Sequence, residues 1–440
     1  MKKYFSLLFA SLLALSVTSC KDDDSETPTY ELSVQLAYPE NTAAAEGVNV
    51  TLTSTQGTTI TNPTDAQGVA LFKVPSGIYS VAATDKQSRD GVRYILNGNL
   101  GEVSVTKEAV NVTLEMLAST SNQIIIKELY IGGCPTNDGA NSYQRDPYVI
   151  LYNNSDAEAS VDNLCLGMCL PFNAHANNKN YVDGKLSYEN DGFIPAGYGI
   201  WYFPGIVTLA PYSEIVVAIN GAIDHTVTYS NSVNLANSAY YACYDTDDWF
   251  NANYYPAPSE VIPTAHYLQA EKWGLGNAWP LSVLDPAFFI FRTEGVTPTD
   301  FAAAKDYWYN GGQESDINAC LKVKTEWVLD AVDVFTTTAV NNQKRLTAVT
   351  DAGSVYFTNK KGYSMFRHVD LEATKAIEGN ESLLIYGMTA NTDEATGVVL
   401  NDANQVDAVA SAKNGAKIIY KDTNNSTNDF FERYQASLKD

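Results

Sequence analysis

Residues 64–82 read TDAQGVALFKVPSGIYSVA. Asp65 to Gly68 has turn chemistry. An Asp side chain bonds its own backbone two residues on, and a Gly takes positive φ at no steric cost. Strands are expected on either side of a second turn at Pro75-Ser76-Gly77. Working outward, Tyr30 to Leu36 alternates apolar and polar residues, as a half-buried strand does. Val48 to Leu52 repeats that alternation, and Val110 to Leu114 supplies a closing strand. A series of strands joined by turns over residues 30–117 is therefore expected.

The whole chain has 440 residues, enough for two to four domains at ~100–200 residues each. Aliphatic and aromatic residues make up 45%, an ordinary share for a folded protein that needs no disulfides to bury a core. The 28 Tyr, 28 Gly and 16 Pro favour strands and turns. Lys and Arg number 28 against 51 Asp and Glu, a net charge of −23. That balance argues against nucleic acid, whose phosphates need clustered cations.

The N-terminus reads as an address. Lys2 and Lys3 precede an apolar run from Tyr4 to Val17, too short to span a bilayer as a mature helix. Val17-Thr18-Ser19-Cys20 then resembles a bacterial lipobox. Residues 1–19 would be a cleaved signal peptide, and Cys20 would carry the lipid. Their loss, which removes Lys2 and Lys3, takes the charge from −23 to −25. Each buried methylene contributes ~0.8 kcal/mol, so several acyl chains anchor stably. Residues 20–29 would be a flexible tether. Within it, Lys21-Asp22-Asp23-Asp24 resembles the export signal that sends Bacteroidetes lipoproteins to the outer leaflet.

Residues 30–117 resemble the carboxypeptidase-regulatory-like family, relatives of transthyretin and the Cna-B stalk domains. The resemblance lies in T-D-x-x-G-x-A-x-F-x-V-P-x-G-x-Y-x-V between Thr64 and Val81. It implies a seven-stranded prealbumin-like sandwich with no catalytic residues, used as a spacer or docking platform.

Residues 122–440 read as a second unit. Gln123 to Tyr130 is an expected strand with Ile124, Ile126 and Glu128 in I-x-I-x-E spacing. Asp146 to Ser155 reads as a strand running into a turn, Val161 to Leu166 as a strand, and Leu209 to Ala218 as a turn then a strand. Ser364 to Arg367 and Asp422 to Phe430 follow near the end. In that order these segments resemble a lamin-tail domain, an immunoglobulin-like sandwich. Asp146 stands where that family has Glu, and residues 220–345 form a long mixed insertion. The fold class expected is all-β, with two β-sandwich domains. The combination resembles an uncharacterised family of Bacteroidetes surface lipoproteins, often encoded near TonB-dependent receptors.

Within the insertion, Tyr240, Tyr241, Trp249, Tyr254 and Tyr255 crowd together with Asp and Asn. Such a cluster can stack a sugar or partner surface, or fill a core. These five are the candidate ligand-binding residues. Asp300 to Tyr309 reads as a short helix capped by Asp300.

Five Cys remain after Cys20: Cys134, Cys165, Cys169, Cys243 and Cys320. An odd number cannot all pair internally, and buried thiols are the reading preferred. Cys165 and Cys169 have metal-like spacing but lack a second pair, so no metal site is assigned. Asp422 to Asp429 fails the calcium-loop pattern, with Thr427 where Gly is needed, and reads as a turn. No nucleophile elbow, P-loop or H-E-x-x-H occurs, and no catalytic residue or cofactor is assigned. The function expected is that of a non-catalytic binding or accessory module on the outer membrane. Its partners would be a TonB-dependent receptor or a glycan. A free-standing adhesin or stalk is the alternative, and a hydrolase within the insertion a third reading.

Overall fold

The computed structural model describes residues 28–39, 42–89, 92–120, 123–310, 319–387 and 406–439. The proposed signal peptide, Cys20 and Lys21 to Asp24 lie outside the described residues.

The turn at Asp65 forms as its residues dictate. The Asp65 carboxylate accepts from the backbone N–H groups of Gln67 and Val69, each at 2.9 Å. Gly68 sits at φ +77° and donates to the Asp65 carbonyl at 2.9 Å. Strand Val69–Pro75 follows, with Ala70, Phe72 and Val74 buried and Leu71 exposed. It pairs antiparallel with Thr29–Ala37, which pairs in parallel with Val110–Glu115. Ser76 then carries the chain across the core, because Gly77–Arg89 belongs to a different sheet. That sheet has five strands, in the order Thr59–Pro63, Asn49–Ser54, Gly77–Arg89, Val92–Val105 and Leu117–Thr120. Leu32, Val50, Phe72, Val81, Leu96 and Leu114 pack between the two sheets. Three plus five strands stand here where the resemblance implied seven.

The rest of the chain is organised on one twelve-stranded sheet. From one edge its strands are Val355–Phe357, Val328–Thr336, Ala287–Arg292, Leu164–Met168, Gly199–Tyr202 and Tyr267–Lys272. Tyr241–Cys243, Glu214–Ala218, Tyr148–Asn153, Ile124–Tyr130, Ser364–Arg367 and Phe430–Arg433 complete it. Both faces are covered. Along Tyr148–Asn153, Val149 and Leu151 enter one hydrophobic cluster, while Tyr148 and Ile150 enter another. Phe288 and Ile290 divide from Phe289 and Phe291 in the same way. Strands buried on both faces read as continuous apolar runs, which is why AFFIF at 287–291 shows no alternation.

The stretch read as an insertion is part of this sheet. Tyr241–Cys243 bridges Glu214–Ala218 and Tyr267–Lys272 through parallel pairings. Ala287–Arg292 and Val328–Thr336 extend the sheet beyond Leu164–Met168. No helix among the described residues is long and apolar enough to cross a membrane.

The short helix near residue 300 differs from its expected form. It spans Pro298–Ala303 and is capped by Thr297, whose hydroxyl accepts from the Asp300 N–H at 3.0 Å. The Thr297 hydroxyl donates in turn to the Asp300 carboxylate at 2.8 Å. Pro298 at the first helical position fixes the entry. Thr297→Ala should lower stability by about 1 kcal/mol, the usual worth of a hydroxyl cap. Urea unfolding of the two chains checks this, and an unchanged midpoint would assign the cap to another group.

Candidate functional site

A cavity of about 370 Å³ opens beside the loop from Leu170 to Asn180. The sequence there, LPFNAHANNKN, has few residues that can build a core and many that hydrogen-bond. Its conformation is imposed from outside. Arg345 is fully buried, and its NH1 donates to the carbonyls of Pro171 at 3.2 Å, Phe172 at 3.3 Å and Asp285 at 2.8 Å. Its NH2 pairs with Asp333 at 2.6 Å. Burial would raise the Asp333 carboxyl, but Arg345 and Lys344 hold it below the usual carboxylate range. Further along, the Ala174 N–H donates to the Asp285 carbonyl at 3.1 Å. The Asn178 amide donates to the Lys344 carbonyl at 3.0 Å.

Three aromatic rings wall the cavity. Phe172 and Tyr198 meet edge to face, with centroids 5.0 Å apart. Tyr198 lies between two strands at φ +60°, a conformation unusual for a bulky residue. Its carbonyl accepts from the Trp273 and Gly274 N–H groups at 3.1 and 3.0 Å. A Cβ on Gly274 would stand 2.3 Å from the Tyr198 ring, so only Gly fits there. Tyr309 closes the third side from strand Trp308–Tyr309. Its hydroxyl donates to the Asn180 side-chain carbonyl at 2.9 Å.

Asn173, Asn177, Asn180 and Asn310 add amides to the lining. Asn173 uses its carbonyl to accept from Ser282 at 2.5 Å. Among the described residues the lining has one charged group, Lys179, and no carboxylate.

His175 belongs to this loop. Its Nδ1 lies 2.6 Å from the buried Asp285 carboxylate. That pairing fixes the ring, but among the described residues no hydroxyl or thiol bonds its Nε2. A second cavity, about 270 Å³, includes Lys86, Asp156, Tyr212 and Asp370. Lys86 there faces Asp370 at 3.6 Å, across from the first sandwich to the N-cap of the short helix Leu371–Ala376. Both ends of the Asn154 amide are taken by the backbone of Tyr420. The second cavity's polar groups thus largely hold the fold together.

The five candidate aromatics divide. Tyr241, Trp249 and Tyr255 are core residues, buried in the main hydrophobic cluster. The Tyr255 hydroxyl accepts from the Trp279 N–H at 3.1 Å, and Tyr241 stacks on His266 at 4.2 Å. These three are corrected from contact surface to core, since their rings are already in contact with protein. Tyr240 and Tyr254 are half-buried, and Arg145 covers the Tyr254 ring at 5.4 Å. The acidic residues between them also serve folding. Asp245 accepts from the Asp247 and Ala270 N–H groups, each at 3.1 Å.

Cys134, Cys165, Cys169, Cys243 and Cys320 are all buried. Burial pushes the Cys134 thiol up to about 11 and the Cys320 thiol up to about 12, so neither is a thiolate at neutral pH. No group of three or more His, Cys, Asp or Glu among the described residues is arranged to hold a metal. Asp146 is buried and accepts from the Tyr130 hydroxyl at 3.1 Å. Burial pushes its carboxyl up to about 6. At Asp422 to Asp429 the chain turns into a single turn of helix, Ser426–Asp429, capped by Asn425, and the Asp429 carboxylate accepts from the Thr423 N–H and hydroxyl at 2.8 and 2.7 Å.

Sequence reading missed the cavity. Its rings come from residues 172, 198 and 309, which no local pattern joins. The available signal was the run of Asn between 173 and 180.

Residues 210–394 match a family described as a protein of unknown function, DUF4876. The chain is similar to the crystal structure of a DUF4876 family protein from Bacteroides thetaiotaomicron VPI-5482. Identity is 20% and the TM-score 0.53, covering 92% of this chain and 96% of that one. A DUF3823 family protein from Parabacteroides merdae ATCC 43184 aligns with 42% of this chain and 80% of its own, at 14% identity and a TM-score of 0.17. No curated protein matches the chain. The first likeness is one of fold. With the family match, it supports kinship with an uncharacterised Bacteroidetes family.

Proposed function

We propose that this chain is a lipid-anchored binding protein of the outer membrane, displayed outward and without catalytic activity of its own. The observation that carries the binding role is the cavity at Phe172, Tyr198 and Tyr309. Its loop is held open by the buried Arg345, and its walls offer rings and amides. Small-molecule sites typically have ~300–1,000 Å³, mostly apolar walls and a few placed polar groups. The location rests on Cys20 and on Lys21 to Asp24. The two sandwich resemblances fit a spacer that lifts a binding unit from the membrane. An accessory role beside a TonB-dependent receptor belongs to this reading.

The test is made in the native membrane. Metabolic labelling with an alkyne fatty acid should mark the chain, and Cys20→Ser should abolish the label. Protease added to intact cells should degrade the chain, and Asp22→Ala/Asp23→Ala/Asp24→Ala should protect it. Affinity purification from gently solubilised outer membranes should recover a stoichiometric receptor. An unlabelled or protected wild-type chain defeats the location. Recovery of the chain alone in several mild detergents defeats the receptor role and favours a free-standing adhesin.

A further inference from the structure

The chemistry of the cavity narrows what it holds. Among the described residues its walls combine aromatic rings with primary amides and carry no carboxylate. The described walls give an ammonium ligand no carboxylate to pair with. A single Lys179, exposed at the surface, is too little for a phosphate or a polyanion, which call for converging cations and backbone N–H groups. A lipid or steroid would strand the amides of Asn173, Asn177, Asn180 and Asn310 against hydrocarbon, and an unmade hydrogen bond costs about 1–3 kcal/mol when buried.

A sugar satisfies all of these surfaces at once. Each hydroxyl both donates and accepts, and so does each Asn amide. The axial C–H face of a pyranose ring is apolar and lies flat on an aromatic face, while its rim of hydroxyls points outward to polar partners. Tyr198 and Phe172 meet edge to face, so the pair presents two perpendicular apolar surfaces. Asn180 is already oriented by the Tyr309 hydroxyl at 2.9 Å, which occupies its carbonyl and turns its NH₂ into a directed donor. Asn173 is oriented likewise by Ser282. Pre-set donors lose little rotamer entropy on binding, which favours a weakly hydrophobic ligand such as a sugar. A volume near 370 Å³ takes one or two pyranose rings.

We propose that the Phe172–Tyr198–Tyr309 cavity is a subsite for an uncharged glycan, engaging one or two sugar rings by stacking and by Asn amides. This assignment rests on the binding-protein reading above and specifies its ligand. Sugar recognition arises at the loop 170–180 and at Tyr309, outside the aromatic run around residue 249.

The full-length chain in detergent micelles is screened against soluble neutral oligosaccharides of one to four rings, based on glucose, mannose, galactose and N-acetylglucosamine. Hits are measured by calorimetry. At least one series should bind. Phe172→Ala and Asn177→Ala should each weaken that binding about tenfold, the worth of one stacking contact or one directed hydrogen bond. Asn177 is exposed and makes no hydrogen bond among the described residues, so its variant should melt with the wild type. Lys179→Ala should change affinity by less than about threefold. No binding across the panel overturns the proposal. So does binding that both cavity variants leave intact, or binding that Lys179→Ala abolishes, which would place recognition on the Lys179 ammonium and not on the rings and amides. A receptor recovered from membranes by a chain that binds no sugar sinks this subsite alone. Sugar binding by a chain absent from the cell surface sinks the location alone.

Discussion

Arg367→Leu should leave a chain that is destabilised by about 3–5 kcal/mol at neutral pH, the usual cost of removing one partner of a buried ion pair. The guanidinium is fully buried, and three carboxylates converge on it. Its NH2 pairs with Asp330, and its NH1 lies 3.5 Å from Asp429 and 3.7 Å from Asp422. Its Nε donates to the Ile126 carbonyl at 2.7 Å, and NH1 to the Lys421 carbonyl at 2.8 Å. One side chain therefore ties Ile124–Tyr130, Val328–Thr336 and the C-terminal turn into one unit. A Leu fills the volume but leaves the carboxylates facing each other in low dielectric.

The loss should depend on pH, with a definite sign. Burial already raises the carboxyls of Asp330 and Asp429 above their ordinary value, and Arg367 opposes that rise. A raised carboxyl in the folded state binds a proton more tightly than in the unfolded state. Its contribution is then fully present at low pH and is lost as pH climbs through the folded value. Without Arg367 both carboxyls rise further, so the variant should recover part of its stability between pH 7 and pH 5. Urea midpoints of wild type and variant at the two pH values test this. An equal deficit at both would mean that the three carboxylates are not coupled through Arg367.

The first sandwich was legible because each strand buries one face. Ala70, Phe72 and Val74 go in while Leu71 and Lys73 go out, and that alternation is written in the sequence. The large sheet erased this signal by burying both faces. Phe288 to Phe291 therefore announces a buried strand but not its neighbours. Residues 220–345 looked like an insertion because their partners lie far away in sequence, as when Ala287–Arg292 pairs with Leu164–Met168. The aromatic run failed for a related reason. Tyr241, Trp249 and Tyr255 have the composition of a contact surface, but composition is blind to direction, and the sheet drew them inward. Thr297 and not Asp300 caps the short helix, because Pro298 sets its first turn three residues earlier than the Ala run suggests. The cavity was the least legible feature, since Phe172, Tyr198 and Tyr309 meet only when three separate segments are folded together.

Arg345→Lys should show how the cavity depends on that folding. The substitution keeps the charge and loses the planar fork. A guanidinium offers donors in fixed directions, whereas an ammonium is a point charge with three donors. Arg345 uses its two terminal nitrogens on five acceptors: Asp333, the Val334 carbonyl and the carbonyls of Asp285, Pro171 and Phe172. A Lys can keep Asp333, which Lys344 also approaches at 3.5 Å, but cannot reach across to the loop at the same time. The released carbonyls of Pro171 and Phe172 would then turn towards water, carrying the Phe172 ring with them. Stability should fall by about 3 kcal/mol, which for a unit of this size lowers Tm by roughly 5–10 °C. Ligand affinity at the cavity should fall by more than about tenfold, because the ring must be re-ordered on binding. Phe172→Ala, by contrast, should lose affinity with a smaller loss of Tm. Calorimetric melting and titration of both variants separate the two effects. An Arg345→Lys chain with wild-type Tm and affinity would show that the loop holds its own shape, with Asp285 and Asn178 as sufficient anchors.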